Sequence, residues 1–189
     1  MKVLLIGLGN PGRQYEKSRH NAGFCFIDAV LNSIDAEKIR ENSYYILWQI
    51  KNPRCTFFLA KPLTYMNLSG KCLAGLQRRT GIGLTHTCVI CDNMDLACGR
   101  AKMKFSGGSG GQKGLQNIID LGGSRDFWRL FIGVGRPVLT QDVPGYVLGR
   151  FPSEQEAVFL KLCSDLAQIF LEKIYEKSFT GLQQIINSL

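Results

Sequence analysis

Apolar and polar positions divide the chain into short strand-like runs and longer amphipathic stretches. Lys2 to Leu8 is an apolar run stopped by Gly-Leu-Gly-Asn-Pro-Gly, which predicts a buried strand entering a tight loop. Between Asn21 and Ser33, Phe24, Ile27, Val30 and Leu31 recur at helical spacing. Tyr44 to Ile50 and Cys55 to Ala60 read as two strands joined in a hairpin at Asn52-Pro53-Arg54. Asn67 to Gly81 predicts a helix that stops at a glycine after Arg78 and Arg79. His86 to Cys91 is another buried strand, and Arg100 to Phe105 alternates basic and apolar residues as a half-exposed strand does. A flexible loop follows at Gly107 to Gly111, then a helix from Gly114 to Leu121 and a strand from Trp128 to Val134. Glu154 to Lys177 is amphipathic and predicts the longest helix. There is no internal repeat, low-complexity tract or long linker. Interleaved strands and helices with one hairpin predict an α/β fold: a single domain over residues 1–189, with a twisted mixed sheet and helices on both faces.

Composition changes this picture in one respect, charge. The chain has 189 residues, 45% of them hydrophobic and 20% charged, as globular proteins do. Lys and Arg number 23 against 15 Asp and Glu, for a formal charge of +8 and a pI near 9.2. A basic surface favours a polyanion, with nucleic acid ahead of an anionic membrane. The apolar run Met1-Lys2-Val3-Leu4-Leu5-Ile6 is too short for a signal peptide or membrane helix, and no later stretch approaches ~18 uninterrupted apolar residues. The seven cysteines are thus expected as reduced thiols in a cytoplasmic setting. Cys88 and Cys91 form a C-x-x-C, but on a strand they point to opposite faces, which disfavours a metal or redox pair.

Candidate chemistry starts at Gly7-Leu8-Gly9-Asn10-Pro11-Gly12, a G-x-G-x-x-G after a strand. A dinucleotide fingerprint needs a helix that opens at the second glycine. Pro11 biases Asn10 away from helical geometry, and Arg13 to Arg19 has almost no apolar face. No acidic residue ends a second parallel strand at the required spacing. A nicotinamide or flavin enzyme is disfavoured, and the segment reads as a rigid loop presenting the Asn10 amide at the carboxyl edge of a central strand, where open α/β sheets place their sites. His20 lies at a loop-to-helix junction, open to a structural role or to proton transfer, and Asn21 beside it reads as a helix cap. His86, between Thr85 and Thr87, reads as a maker of surface or capping bonds. Asn67 follows a strand ending near Pro62 and suits a helix cap as well as a site. Asp92 follows a buried strand directly, where an ionised carboxylate needs a partner, and Asp95 sits where Asp often bonds the local backbone. A carboxylate behind a histidine holds its tautomer. Two asparagines, a histidine and an aspartate at strand ends form a hydrolytic set with neither metal nor covalent nucleophile. No Gly-x-Ser-x-Gly elbow is present, which disfavours a serine esterase.

Taken together, Gly7-Leu8-Gly9-Asn10-Pro11-Gly12, Arg19-His20-Asn21, Met66-Asn67-Leu68-Ser69-Gly70 and Asp92-Asn93-Met94-Asp95-Leu96 resemble, in order and spacing, the bacterial-type peptidyl-tRNA hydrolases. Gly114-Leu115, Phe127-Trp128-Arg129-Leu130, Ile132-Gly133-Val134-Gly135 and Val147-Leu148-Gly149 extend the resemblance over nearly the whole chain. It implies a monomeric enzyme, without metal or cofactor, that hydrolyses the ester between the peptide and the 3′-terminal ribose of peptidyl-tRNA. His20 then resembles the general base and Asp92 its orienting partner. Asn10 and Asn67 resemble the amides that place substrate and water, and Met66 a wall for the terminal adenosine and the peptide. Tyr15 adds a ring nearby, while Asn21 is expected to be structural. Two departures stand out. Gly111-Gln112-Lys113-Gly114-Leu115 replaces the family's usual Gly-His-Asn-Gly-Leu: Gln112 can still donate and accept but cannot titrate, and Lys113 puts a cation where an amide is usual, which reads either as drift at a tolerant rim position or as altered peptide handling or rate. Phe131 replaces a basic residue that some members direct at the tRNA 5′ phosphate. Lys102 and Lys104 remain as phosphate contacts or as a plain solvated strand face, with Arg129 or Arg136 able to compensate. The competing reading is a catalytically silent RNA-binding member of the same fold.

Overall fold

The computed structural model describes residues 2–53, 55–137, 142–174 and 178–189. Its strands are β1 (Lys2–Gly7), β2 (Glu37–Glu41), β3 (Tyr45–Lys51), β4 (Thr56–Pro62), β5 (Thr87–Asn93), β6 (Ala101–Phe105) and β7 (Trp128–Gly133). Its helices are α1 (Ala22–Ser33), α2 (Leu73–Thr80), α3 (Lys113–Gly122), α4 (Val143–Leu148), α5 (Ser153–Lys173) and α6 (Phe179–Ile186). All seven strands join one sheet in the order β2-β3-β4-β1-β5-β7-β6. The central four, β4-β1-β5-β7, are parallel, and β2, β3 and β6 add antiparallel edges. The runs read as continuously apolar lie in the parallel centre because both of its faces are covered.

On one face α1, α5 and α6 pack Phe26, Phe170, Leu166 and Leu182 against Val3, Leu5 and Ile90. The Phe26 and Phe170 rings meet edge to face at 5.3 Å. On the other face α2 and α3 bring Leu76, Leu115 and Ile118 onto Leu4, Ile6 and Val89. Each fully buried side chain of this kind favours folding by roughly 1.5–3 kcal/mol. Cys88 belongs to the first cluster and Cys91 to the second, so the C-x-x-C straddles the sheet and cannot chelate one ion.

The structure departs from the periodicity reading in several elements. The helix expected from Asn67 is a 3-10 segment over Met66–Cys72 that becomes α-helical only at Leu73. Here the Gly70 N–H donates to Asn117 Oδ1 of α3 at 2.8 Å. A Cβ at Gly70 would stand 2.4 Å from the Asn117 carbonyl oxygen, so α3 can press this close only against glycine. Strand β2 went unseen because Glu-Lys-Ile-Arg-Glu offers one apolar residue; its charges suit an edge that must not recruit another chain. Neither α4 nor α6 was foreseen. Helix α6 covers the opposite edge: Asn187 Oδ1 accepts the Met103 N–H at 2.7 Å, and its Nδ2 donates to the Met103 carbonyl at 3.0 Å. One amide thus stands in for a strand neighbour of β6. Helix α5 is the longest, though it stops at Lys173; residues 175–177 of the expected helix, and Arg54 of the hairpin turn, lie outside the described residues.

All seven cysteines are free, and Cys55, Cys72, Cys88, Cys91 and Cys163 are buried. Burial pushes the Cys72 thiol up to about 12 and, with Asp28 adding to it, the Cys25 thiol up to about 11. Since the thiolate is the reactive form, an alkylating reagent at pH 8 is expected to modify partly exposed Cys98 ahead of the five buried thiols, which react on unfolding. Mass spectrometry of the labelled protein checks this, and even labelling of all seven would contradict it.

Candidate active site

The carboxyl ends of the parallel strands open into a cavity of about 620 Å³. Helix α1 enters directly above them. A Cβ at Gly23 would fall 2.2 Å from Leu8 N and 2.3 Å from the Ile90 carbonyl oxygen, so only glycine lets α1 cross β1 and β5 at this distance. The crossing sets the 3-10 turn Arg19–Asn21, with His20 at its centre, over the end of β5. There His20 Nδ1 lies 2.9 Å from Asp92 Oδ1, with 12% of the histidine side chain and 4% of the aspartate exposed. His20 Nε2 has no partner among the described residues and belongs to a ring that lines the cavity.

The loop after β1 is held by amides. Asn21 Oδ1 accepts the Asn10 N–H at 2.8 Å and Asn21 Nδ2 donates to the Asn10 carbonyl at 3.0 Å, gripping that residue's backbone on both sides. Asn21 precedes α1 but makes no capping bond, which corrects the expectation of a helix cap and agrees with a structural role. Asn10 Oδ1 accepts the Met66 N–H at 2.7 Å, and because a backbone N–H can only donate, the Asn10 Nδ2 end is left for the cavity. Asn67 also fails to cap: it lies inside the 3-10 segment Met66–Cys72, whose N-cap residue is Tyr65 with no side-chain cap, and Asn67 lines the cavity. The glycine pattern starts no helix at Gly9; the chain passes through Gly12 at φ 108°, as a loop and not a dinucleotide turn.

Six of the nine residues singled out from sequence line this cavity: Asn10, His20, Met66, Asn67, Asp92 and Lys113. Tyr15 stands one residue behind, its ring 6.5 Å from that of Tyr65 and perpendicular to it. Tyr65, exposed and part of the lining, went unremarked; its only signal was an aromatic ring beside the Met66-Asn67 pair. Lys102 and Lys104 are outside the cavity on β6. They pair with Phe131 and Arg129 of β7, hence share the sheet face of Phe131, which does line it. The Lys104 ammonium lies over Gly107, at the base of the glycine loop. None of Lys102, Lys104 and Lys113 forms an ion pair among the described residues.

Three further expectations need correction. Arg129 cannot meet a phosphate: although it shares its face of β7 with Phe131, it is wholly buried under the Gly107 loop and the Arg125–Phe127 segment, donating to the carbonyls of Gly107, Arg125 and Phe127. Asp95 bonds the Arg136 guanidinium at the cavity rim instead of its local backbone, so Arg136 is engaged too. Arg19, read only as part of a motif, is buried and holds α4 as a wall of the cavity. Its Nη1 donates to the carbonyls of Tyr146 at 3.1 Å and Arg150 at 2.9 Å while it stacks on the Tyr146 ring. His86 is exposed and contacts Thr85 Oγ1 at 3.2 Å, as a surface residue should. Among the described residues no group of three or more His, Cys, Asp or Glu could hold a metal ion, and no helix is long and apolar enough to cross a membrane.

The family model described as peptidyl-tRNA hydrolase matches residues 4–188. The chain belongs to the peptidyl-tRNA hydrolase family. It is 35% identical over 189 residues to the peptidyl-tRNA hydrolase of Coprothermobacter proteolyticus, covering 98% of this chain and 96% of that one. It is 36% identical to that of Aquifex aeolicus, covering 90% and 89%. The crystal structure of peptidyl-tRNA hydrolase from Acinetobacter baumannii superposes with a TM-score of 0.90 at 28% identity, covering 98% of this chain and 94% of that one. The sheet and its two helical layers are therefore the family's architecture.

Replacing Asn21 strands two buried backbone groups of Asn10. Asn21→Ala is expected to cost about 1–3 kcal/mol for an unsatisfied buried group, read as a lower midpoint in thermal denaturation. An unchanged midpoint would show that the grip on Asn10 carries no weight.

Proposed function

We propose that this protein hydrolyses the ester between a peptide and the 3′-terminal ribose of tRNA, releasing both, with His20 as general base and Asp92 as its orienting carboxylate. The observation that carries this reading is the 2.9 Å contact between His20 Nδ1 and Asp92, which leaves Nε2 free at a cavity lined by Asn10 and Asn67. An ionised Asp92 holds the proton on Nδ1, so Nε2 is the basic nitrogen. Water deprotonated there attacks the acyl carbon. The amides of Asn10 and Asn67 donate to the carbonyl oxygen as charge grows on it, and His20 returns the proton to the departing ribose oxygen. Met66 and Tyr65, with Tyr15 behind, form the wall for the terminal adenosine and the adjoining peptide. Lys102 and Lys104 meet phosphates along the acceptor arm, and Lys113 meets substrate at the rim. The chain acts in this reading as a single-domain monomer in the cytoplasm. The complete set of Asn10, His20, Asn67 and Asp92 around one cavity disfavours a silent RNA-binding role.

Release of peptide from purified peptidyl-tRNA tests the proposal. His20→Ala is expected to keep the fold and lose ~10²- to 10⁴-fold in turnover, the usual worth of one general base. Asp92→Ala should lose less, since it orients and does not transfer the proton. Near-normal hydrolysis by the His20 variant would overturn the assignment. Lys104→Glu is expected to weaken tRNA binding and flatten its dependence on salt, because fewer counterions are released; binding measured across a salt series reads this directly.

A further inference from the structure

Gln112 joins three walls of the cavity through one side chain. Its Oε1 accepts the Leu115 N–H at 2.6 Å, capping α3. Its Nε2 donates to Asp92 Oδ1 at 3.0 Å and approaches Met66 Sδ at 3.2 Å. The direction of these bonds follows from the backbone. An N–H can only donate, so Leu115 decides which end of the amide is oxygen, and Nε2 must face Asp92. Asp92 Oδ1 is the same atom that meets His20 Nδ1. Gln112 Nε2 can only donate, so Asp92 Oδ1 accepts from it. As a carboxylate Asp92 accepts from His20 as well, which puts the proton on Nδ1 and the lone pair on Nε2.

The same amide closes a circuit. Gln112 touches the Met66 sulfur, the Met66 N–H reaches Asn10 Oδ1, Asn21 grips the Asn10 backbone, and Asn21 is the chain neighbour of His20. A Cβ at position 114 would stand 2.4 Å from Met66 Sδ, so the glycine there makes room for the sulfur beside Gln112. The Gln112 end of this tie carries no titratable group.

We propose that Gln112 is a positioning residue for the hydrolysis: it keeps Asp92 an accepting carboxylate and thereby sets the tautomer and aim of His20. This rests on the hydrolase reading for its rate consequence, but its geometry is testable without substrate. Q112E retains an oxygen for the Leu115 N–H and nearly the same volume, yet sets a carboxylate against Asp92. Q112M retains the volume with no donor at all. In the ¹⁵N-labelled wild-type protein at alkaline pH, the His20 ring signals are expected to place the proton on Nδ1, with a downfield Nδ1–H resonance. In both variants that resonance moves or is lost to exchange with water. Turnover of peptidyl-tRNA falls roughly tenfold, as for loss of one hydrogen bond to a charged group, while KM changes much less. Should Q112E not fold, Q112M decides by the same resonance. A folded variant whose His20 resonance keeps its wild-type position and width overturns the proposal, whatever its rate. A wild-type protein that released no peptide would instead refute the hydrolase reading and leave the spectroscopic result standing.

Discussion

Asp92 ends a strand buried on both sides, and only 4% of its side chain meets solvent. A charge in such a place is costly unless donors replace the lost water. Two do, His20 from the turn ahead of α1 and Gln112 from the start of α3. These elements come from opposite sides of the sheet, so satisfying one carboxylate also draws the two helical layers to a common point at the strand ends. Gly23 makes that approach possible on one side by lacking a Cβ that would strike the backbone of Leu8 and Ile90, and Gly114 on the other by leaving room for the Met66 sulfur.

Around this carboxylate the interior of the site is built from neutral amides. Asn10, Asn21 and Gln112 exchange hydrogen bonds whose directions are dictated by backbone N–H groups, so the orientation of each amide is determined and not interchangeable. Full charges stay at the periphery: Lys102 and Lys104 on the β6 edge, Lys113 at the rim, and the Asp95–Arg136 pair. That division suits a reaction on a polyanion. Cations act on phosphates through solvent over some distance, whereas attack on an ester requires donors held in place in a site that excludes most water.

Two buried arginines hold the outer parts of the cavity. Arg19 secures α4 and Arg129 secures the base of the glycine loop, both by donating to backbone carbonyls, and each leaves its Nε without a partner. Among the described residues neither is paired with a carboxylate. The planar guanidinium reaches several carbonyls at once and stacks on Tyr146 or Phe127, which a lysine could not do. The phosphate role considered for Arg129 came from the resemblance, as compensation for Phe131, while its actual role comes from the loop segments at Gly107 and Arg125–Phe127 that close over it.

By itself the sequence determined the elements that bury apolar surface, since periods of two and 3.6 residues are written into the order of side chains: the parallel strands, α1, α3 and α5. It also determined which residues have the right chemistry, and the spacing of Asn10, His20, Asn67 and Asp92 was enough to bring out the resemblance. Elements stabilised by lateral bonds were invisible to it: β2 because its charged run carries one apolar residue, the 3-10 turn at Met66 and the edge cover from α6 because their partners are distant in the chain. The same limit governs the polar residues. Whether Asn21 caps a helix or grips a loop, whether Arg129 is wet or buried, and whether Gln112 replaces a histidine idly or steadies Asp92 all depend on which groups arrive from elsewhere. A hydrogen bond has direction and a reach of about 3 Å, and only the folded chain brings its two ends within that distance.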